Sequence, residues 1–177
     1  MKILLSAFAC APNTGSEPGV GWRWAVELAK HHEVTVVTDA TRRPLIEPYL
    51  AQHPVAELRV EYFRPSWLRV VPLNSWTAQL LYTAWQFALL GFARRLHKNH
   101  RFHVAMHVTY GVFRHPSFLG YLGIPFVFGP LGGGEDAPSR LKRSIRGREK
   151  LKELLRTVLN KASLLDPFLW TAFAGAS

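Results

Sequence analysis

The sequence predicts an α/β fold, a Rossmann-like doubly wound parallel sheet, on three observations. Short β-branched runs alternate with longer stretches of helical periodicity. The strand-like runs are apolar at nearly every position, as strands are when helices cover both faces of a sheet. The length of 177 residues suits one domain. With 48% apolar and 19% charged residues the chain can bury a sizeable core, which excludes global disorder.

Residues 2–9 read as the first strand. Residues 20–30 follow as a helix, with Val20, Trp24, Ala25 and Leu28 recurring at helical spacing. Residues 33–38 (EVTVVT) are a second strand, 44–52 a short helix, and 58–63 (LRVEYF) a third strand. A long helix is expected over 75–98, then a strand over 103–109, a helical turn near 118–122 and a strand over 125–131. Residues 138–162 form a second long, basic helix.

From Ser75 to Ala93 there is no charged residue for nineteen positions. That approaches a membrane span of about 20 residues. Ser75, Thr77, Gln79, Thr83, Gln86 and Gly91 dilute its apolarity, and it lies between two strands of one sheet. A crossover helix is therefore predicted, because a span would split the sheet.

Cys10 is the single cysteine, which excludes an internal disulfide and a multi-cysteine metal site. Its place after the first strand predicts burial rather than chemistry. The start of the chain shows no long apolar region and no cleavage site, so no secretory signal is expected. The formal charge of +10 points to an anionic partner.

Two segments sit where a doubly wound sheet binds ligands, at the carboxyl ends of strands. The first is residues 11–22, APNTGSEPGVGW. Gly15, Gly19 and Gly21 let the backbone approach a ligand, and amides at a helix start favour an anion. The alternative is a tight strand-to-helix turn that needs glycine. Glu17 either accepts from an acceptor hydroxyl or caps the helix. The dinucleotide fingerprint is broken, because Gly19-Val20-Gly21 runs into Trp22, Arg23 and Trp24. Asp39, eighteen residues after Gly21, keeps a nicotinamide-enzyme reading open. The Walker pattern is absent.

The second segment holds His107, Thr109 and Tyr110 at the end of the fourth strand, and Gly129–Glu135 (GPLGGGE) following the fifth. His107 either bonds a sugar hydroxyl or packs at the strand end, with His115 a weaker candidate. Gly132, Gly133 and Gly134 would expose backbone amides to phosphate or sugar oxygens. Glu135 would accept from hydroxyls.

The run LLSAFACAPNTGSEPGVGWRWAVELAKHHEVTVVT resembles the opening of glycosyltransferase family 4 N-terminal domains, in the GT-B superfamily. The later run MHVTYGVFRHPSFLGYLGIPFVFGPLGGGE is similar to a second block of a bacterial branch of that family. The resemblance implies one of two Rossmann-like domains, residues 1–177 being the acceptor-side half, truncated before the C-terminal domain that grips the nucleotide-sugar. It implies transfer with retention, no obligatory metal, no cofactor beyond the donor substrate, and an acceptor that is a glycan, a lipid-linked sugar or a cell-envelope polysaccharide. The paired glutamates of the donor domain have no counterpart here, so the isolated chain is expected to be inactive. Many members carry a histidine after the fifth strand, where this sequence has Gly129-Pro130. That departure shifts the expected catalytic role to His107.

Residues 139–161 contain nine Lys or Arg against Glu149 and Glu153, with seven Leu, Ile or Val along them. A basic amphipathic helix of this kind lies on anionic lipid or packs its apolar stripe on the sheet. Trp67 and Arg69, in PSWLRVVP, add an interfacial anchor. Trp67, Arg69, Lys142, Arg143 and Arg146 are thus the expected membrane surface, placing the protein peripherally on the cytoplasmic face. No nucleic-acid module is legible. A non-catalytic membrane- or glycan-binding module is the competing class.

Overall fold

The structure, a computed structural model, describes residues 1–74, 77–135, 138, 141 and 146–176. Among the described residues, five strands and five α-helices follow in order: β1 (Lys2–Ala7), α1 (Ser16–Ala29), β2 (Glu33–Asp39), α2 (Arg43–Gln52), β3 (Leu58–Phe63), α3 (Ala78–His100), β4 (Val104–Val108), β5 (Phe126–Phe128), α4 (Gly147–Ser163) and α5 (Pro167–Ala174). Short 3-10 turns lie at Ala40–Arg42, Ser66–Leu68 and Leu119–Leu122.

All strand pairs are parallel and the sheet order is β3-β2-β1-β4-β5. Central β1 pairs Leu5 with Val36 on one side and Met106 on the other. The pleat divides its side chains between two cores. Ile3, Leu5 and Ala7 join Val34, Val36 and Val108 beneath Trp22 and Ala25 of α1 and Ile46 of α2. Leu4 and Phe8 face the other way, with Leu81, Tyr82, Trp85, Leu89 and Ala93 of α3. Helices on both faces make the sheet doubly wound. The near-continuous apolar runs of the central strands follow from that burial.

The helix α3 crosses over the sheet rather than leaving it. Its buried residues recur at spacings of three and four, and the Trp85 indole donates to the Phe63 carbonyl at 2.8 Å. Among the described residues no helix is long and apolar enough to cross a membrane.

Three differences from the sequence reading matter for the site. First, α1 starts at Ser16, so Gly19 and Gly21 lie in its first turns rather than in a loop. Second, α4 is described from Gly147, the preceding basic residues Lys142 and Arg143 lying outside the described residues. Third, α5 was not anticipated. Asp166 caps it by accepting from the Phe168 amide at 2.8 Å, Pro167 fills its first turn, and Leu169 and Ala172 are buried.

Candidate ligand cleft at the sheet switch point

The chain leaves β1 and β4, neighbours at the centre of the sheet, towards opposite faces. That topological switch opens a crevice at their carboxyl ends. Here a cleft of about 530 Å³ lies between three segments. Ser16, Glu17 and Val20 come from the start of α1. Thr109, Gly111 and Val112 follow β4, and Pro130 to Gly133 follow β5. The two glycine segments expected to share one rim therefore do so.

Backbone packing holds the rim closed. A Cβ at Gly111 would lie 2.2 Å from the Pro130 carbonyl oxygen, so only glycine lets these loops meet. The Gly132 amide donates to the Gly111 carbonyl at 2.7 Å, and the Phe113 amide to the Gly132 carbonyl at 3.0 Å. Thr109 and Tyr110 both take left-handed backbone angles, which turn the chain sharply at the end of β4. Glu17 ties the first segment to the second: its carboxylate accepts from the Tyr110 amide at 2.9 Å. No side chain caps the first turn of α1.

Several expected roles change. Gly19 and Gly21 are buried and do not line the cleft. A Cβ at Gly19 would lie 2.1 Å from the Thr14 oxygen; one at Gly21 would lie 2.3 Å from the Ala9 oxygen and 2.9 Å from the Thr109 methyl. Gly21 lets α1 pack closely on the ends of β1 and β4, and Gly19 lets its first turn pack on the Thr14 backbone just before it. Gly15 precedes the helix, exposed and outside the cleft wall. Of the triple glycine, Gly132 and Gly133 line the cleft, but their amides are already engaged, Gly133 with the Glu135 carboxylate at 2.9 Å. Glu135 thereby braces its own loop. Gly134 turns away, against the Phe113 ring on the side of α4.

His107 is not a cleft residue. It is 1% exposed, on the α3 side of the sheet, with its ring nitrogens 2.9 Å from the Ser6 and Tyr82 hydroxyls and 3.3 Å from the Gln86 amide. Burial pushes its pKa down to about 3, against a smaller upward pull from its hydrogen bond with the Thr109 backbone. The imidazole is neutral and sealed, so the catalytic role expected of it is withdrawn. Burial likewise pushes the Tyr82 phenol up. Tyr110 stacks on Tyr82 with ring centres 5.3 Å apart and meets Phe8 edge-on, so its ring belongs to the core. His115 also packs on Tyr82, and burial, aided by the Arg114 charge, lowers its pKa.

No protein-family model matches the chain, and no curated protein matches it in sequence. Sequence reasoning missed Ser16, Val20, Gly111 and Val112; the Tyr-Gly step after the fourth strand was the available signal for Gly111. Among the described residues no group of three or more His, Cys, Asp or Glu is arranged to hold a metal.

Asp39, which kept a nicotinamide reading open, is 2% exposed. Its carboxylate accepts from the Thr41 amide at 3.0 Å, the Thr41 hydroxyl at 2.6 Å and Arg64 at 3.1 Å. It is spent inside the fold.

The expected membrane residues separate. Trp67 and Arg69 are exposed beyond β3, at one edge of the sheet. Arg146 precedes α4, which is moored past the opposite edge: the Asn160 amide donates to the Gly133 carbonyl at 3.1 Å, and Arg114 donates to Asn160. The apolar stripe of α4 does not pack on the sheet. Leu151, Leu154, Leu155, Val158 and Leu159 are all exposed, as are Leu165 and Trp170 beyond them.

Proposed function

We propose that this chain is the acceptor-side domain of a retaining GT-B glycosyltransferase, resembling family 4, whose nucleotide-sugar is held by a second Rossmann-like domain. The observation that carries the reading is the convergence of the two glycine segments on one open cleft at the switch point. A doubly wound sheet binds phosphates and sugars there. Glu17 and Ser16 are the polar side chains offered to a sugar, and the uncapped start of α1 suits a diphosphate approaching from a facing domain. With His107 sealed in the core, this domain contributes shape and hydrogen bonding rather than a titrating catalyst. The donor is a nucleotide-sugar, and the acceptor a glycan, lipid-linked sugar or cell-envelope polysaccharide.

Peripheral attachment to an anionic membrane belongs to the same proposal. It is supported by the exposed leucines of α4 set among Arg148, Lys150, Lys152 and Lys161. The same stripe is what favours the second reading, a membrane- or glycan-binding module without catalysis.

Amide chemical shifts measured during titration with UDP-glucose, GDP-mannose, short glucans and NAD separate these readings. Ser16, Glu17, Gly132 and Gly133 should move with a nucleotide-sugar or glucan and stay still with NAD. Stationary cleft amides with every sugar ligand, or a preference for NAD, would overturn the transferase reading. Movement with glucans alone would favour the binding module.

A further inference from the structure

A second hollow, of about 490 Å³, opens at the carboxyl ends of β2 and β3, away from the cleft. Its wall contains Arg43 of α2, Tyr62 of β3, and Arg64 and Arg69 flanking the Ser66–Leu68 turn. The three arginines do different things. Arg64 is a strut: it ion-pairs with Asp39 at 3.1 Å and donates to the Leu68 and Val71 carbonyls. It pins the 66–71 segment over the sheet edge and sets Arg69 at the hollow.

Arg43 lies with its guanidinium carbon 4.5 Å from the centre of the Tyr62 ring. Stacking fixes the plane of the fork while leaving its N–H edges free. Among the described residues neither Arg43 nor Arg69 is ion-paired or hydrogen-bonded through its side chain. Two carboxylates lie nearby. Asp39 is neutralised by Arg64, and Glu47 acts on the Tyr62 hydroxyl, helping burial hold that phenol protonated. Two forks from different elements, held apart around one hollow, match the several oxygens of a phosphate. Beside Arg69, Trp67 is 61% exposed and Val70 is 88% exposed. Apolar surface next to a cationic hollow is complementary to an amphiphile.

We propose that this hollow binds the phosphate group of an amphiphilic ligand, with Arg43 and Arg69 on the phosphate and Trp67 and Val70 against its apolar part. In the transferase reading this ligand is the acceptor or its lipid anchor. Binding itself needs no donor domain, so failure here and silence of the cleft toward sugars are separate results.

The test is phosphorus NMR titration of the full chain with inorganic phosphate and with dihexanoyl phosphatidic acid. Both should bind saturably. The R43Q/R69Q double variant should bind each about tenfold or more weakly, whereas R23Q, which removes one charge on α1, should bind as the parent does. Arg43→Lys, which keeps charge but not the fork, should fall between, with an unchanged melting temperature. Trp67→Ala should weaken the lipid and spare inorganic phosphate. Equal loss in R23Q and the double variant, or parental affinity in the double variant, would refute the phosphate site. An unaltered lipid affinity in Trp67→Ala would refute the amphiphile.

Discussion

At His107 the imidazole meets two hydroxyls and an amide instead of solvent, and its chemistry follows from that enclosure. Either neutral tautomer is satisfied, because the Ser6 and Tyr82 hydroxyls can each donate or accept. The folded pKa of about 3 lies below the unfolded value near 6.5. The unfolded chain therefore takes up the proton first, and stability present above pH ~6.5 is lost as pH falls towards 3, by a few kcal/mol at roughly 1.4 per unit. Urea unfolding across that window should show a shallower loss for His107→Gln than for the parent. Parallel slopes would show that this histidine does not set the acid limit. The sequence located His107 correctly at the end of β4, but strand position alone leaves its face open. Side-chain direction alternates with every residue, so one step separates a core imidazole from one facing the opposite helices. Cys10 was easier to read. It is fully buried, and burial pushes its thiol up to about 12.

Among the elements, the start of α1 shows how two glycine roles separate. Gly21 sits where β1, β4 and α1 meet, and an added methyl group strikes the Ala9 oxygen and the Thr109 side chain. Gly91 lies exposed within α3, with nothing within 4 Å of a built Cβ. Gly21→Ala should destabilise by about 1–3 kcal/mol through overpacking. Gly91→Ala should stabilise by about 0.5–1 kcal/mol, because glycine is the poorer helix former. Thermal melts decide it, and equal shifts would contradict the packing assigned to Gly21. Strand periodicity placed all five strands and the bounds of β3, although β5 stops at Phe128, short of the expected 131. The onset of α1 was not legible, because Ser16-Glu17-Pro18-Gly19 reads as a loop, and Glu17 finds its partner, the Tyr110 amide, only in the folded chain.

Across the whole molecule, cleft and basic helix occupy different parts of one sheet edge. The leucines of α4 remain exposed because its other side carries the mooring, the Asn160 amide on the Gly133 carbonyl, and the buried Ser163. If that stripe meets lipid, Leu155→Glu with Val158→Glu should abolish sedimentation with phosphatidylglycerol vesicles and leave the melting temperature unchanged. Retained sedimentation would place the membrane contact elsewhere. By itself the sequence determined the strands, the doubly wound class and the meeting of two glycine segments at one rim. Local periodicity and parallel topology suffice for these, since strand ends in such a sheet share an edge. Only the tertiary structure decided that His107 is core, that the Gly132 amide is spent on Gly111, and that Arg43 and Arg69 share a hollow. Each depends on which groups from distant segments come within bonding reach, and spacing along one chain does not encode that.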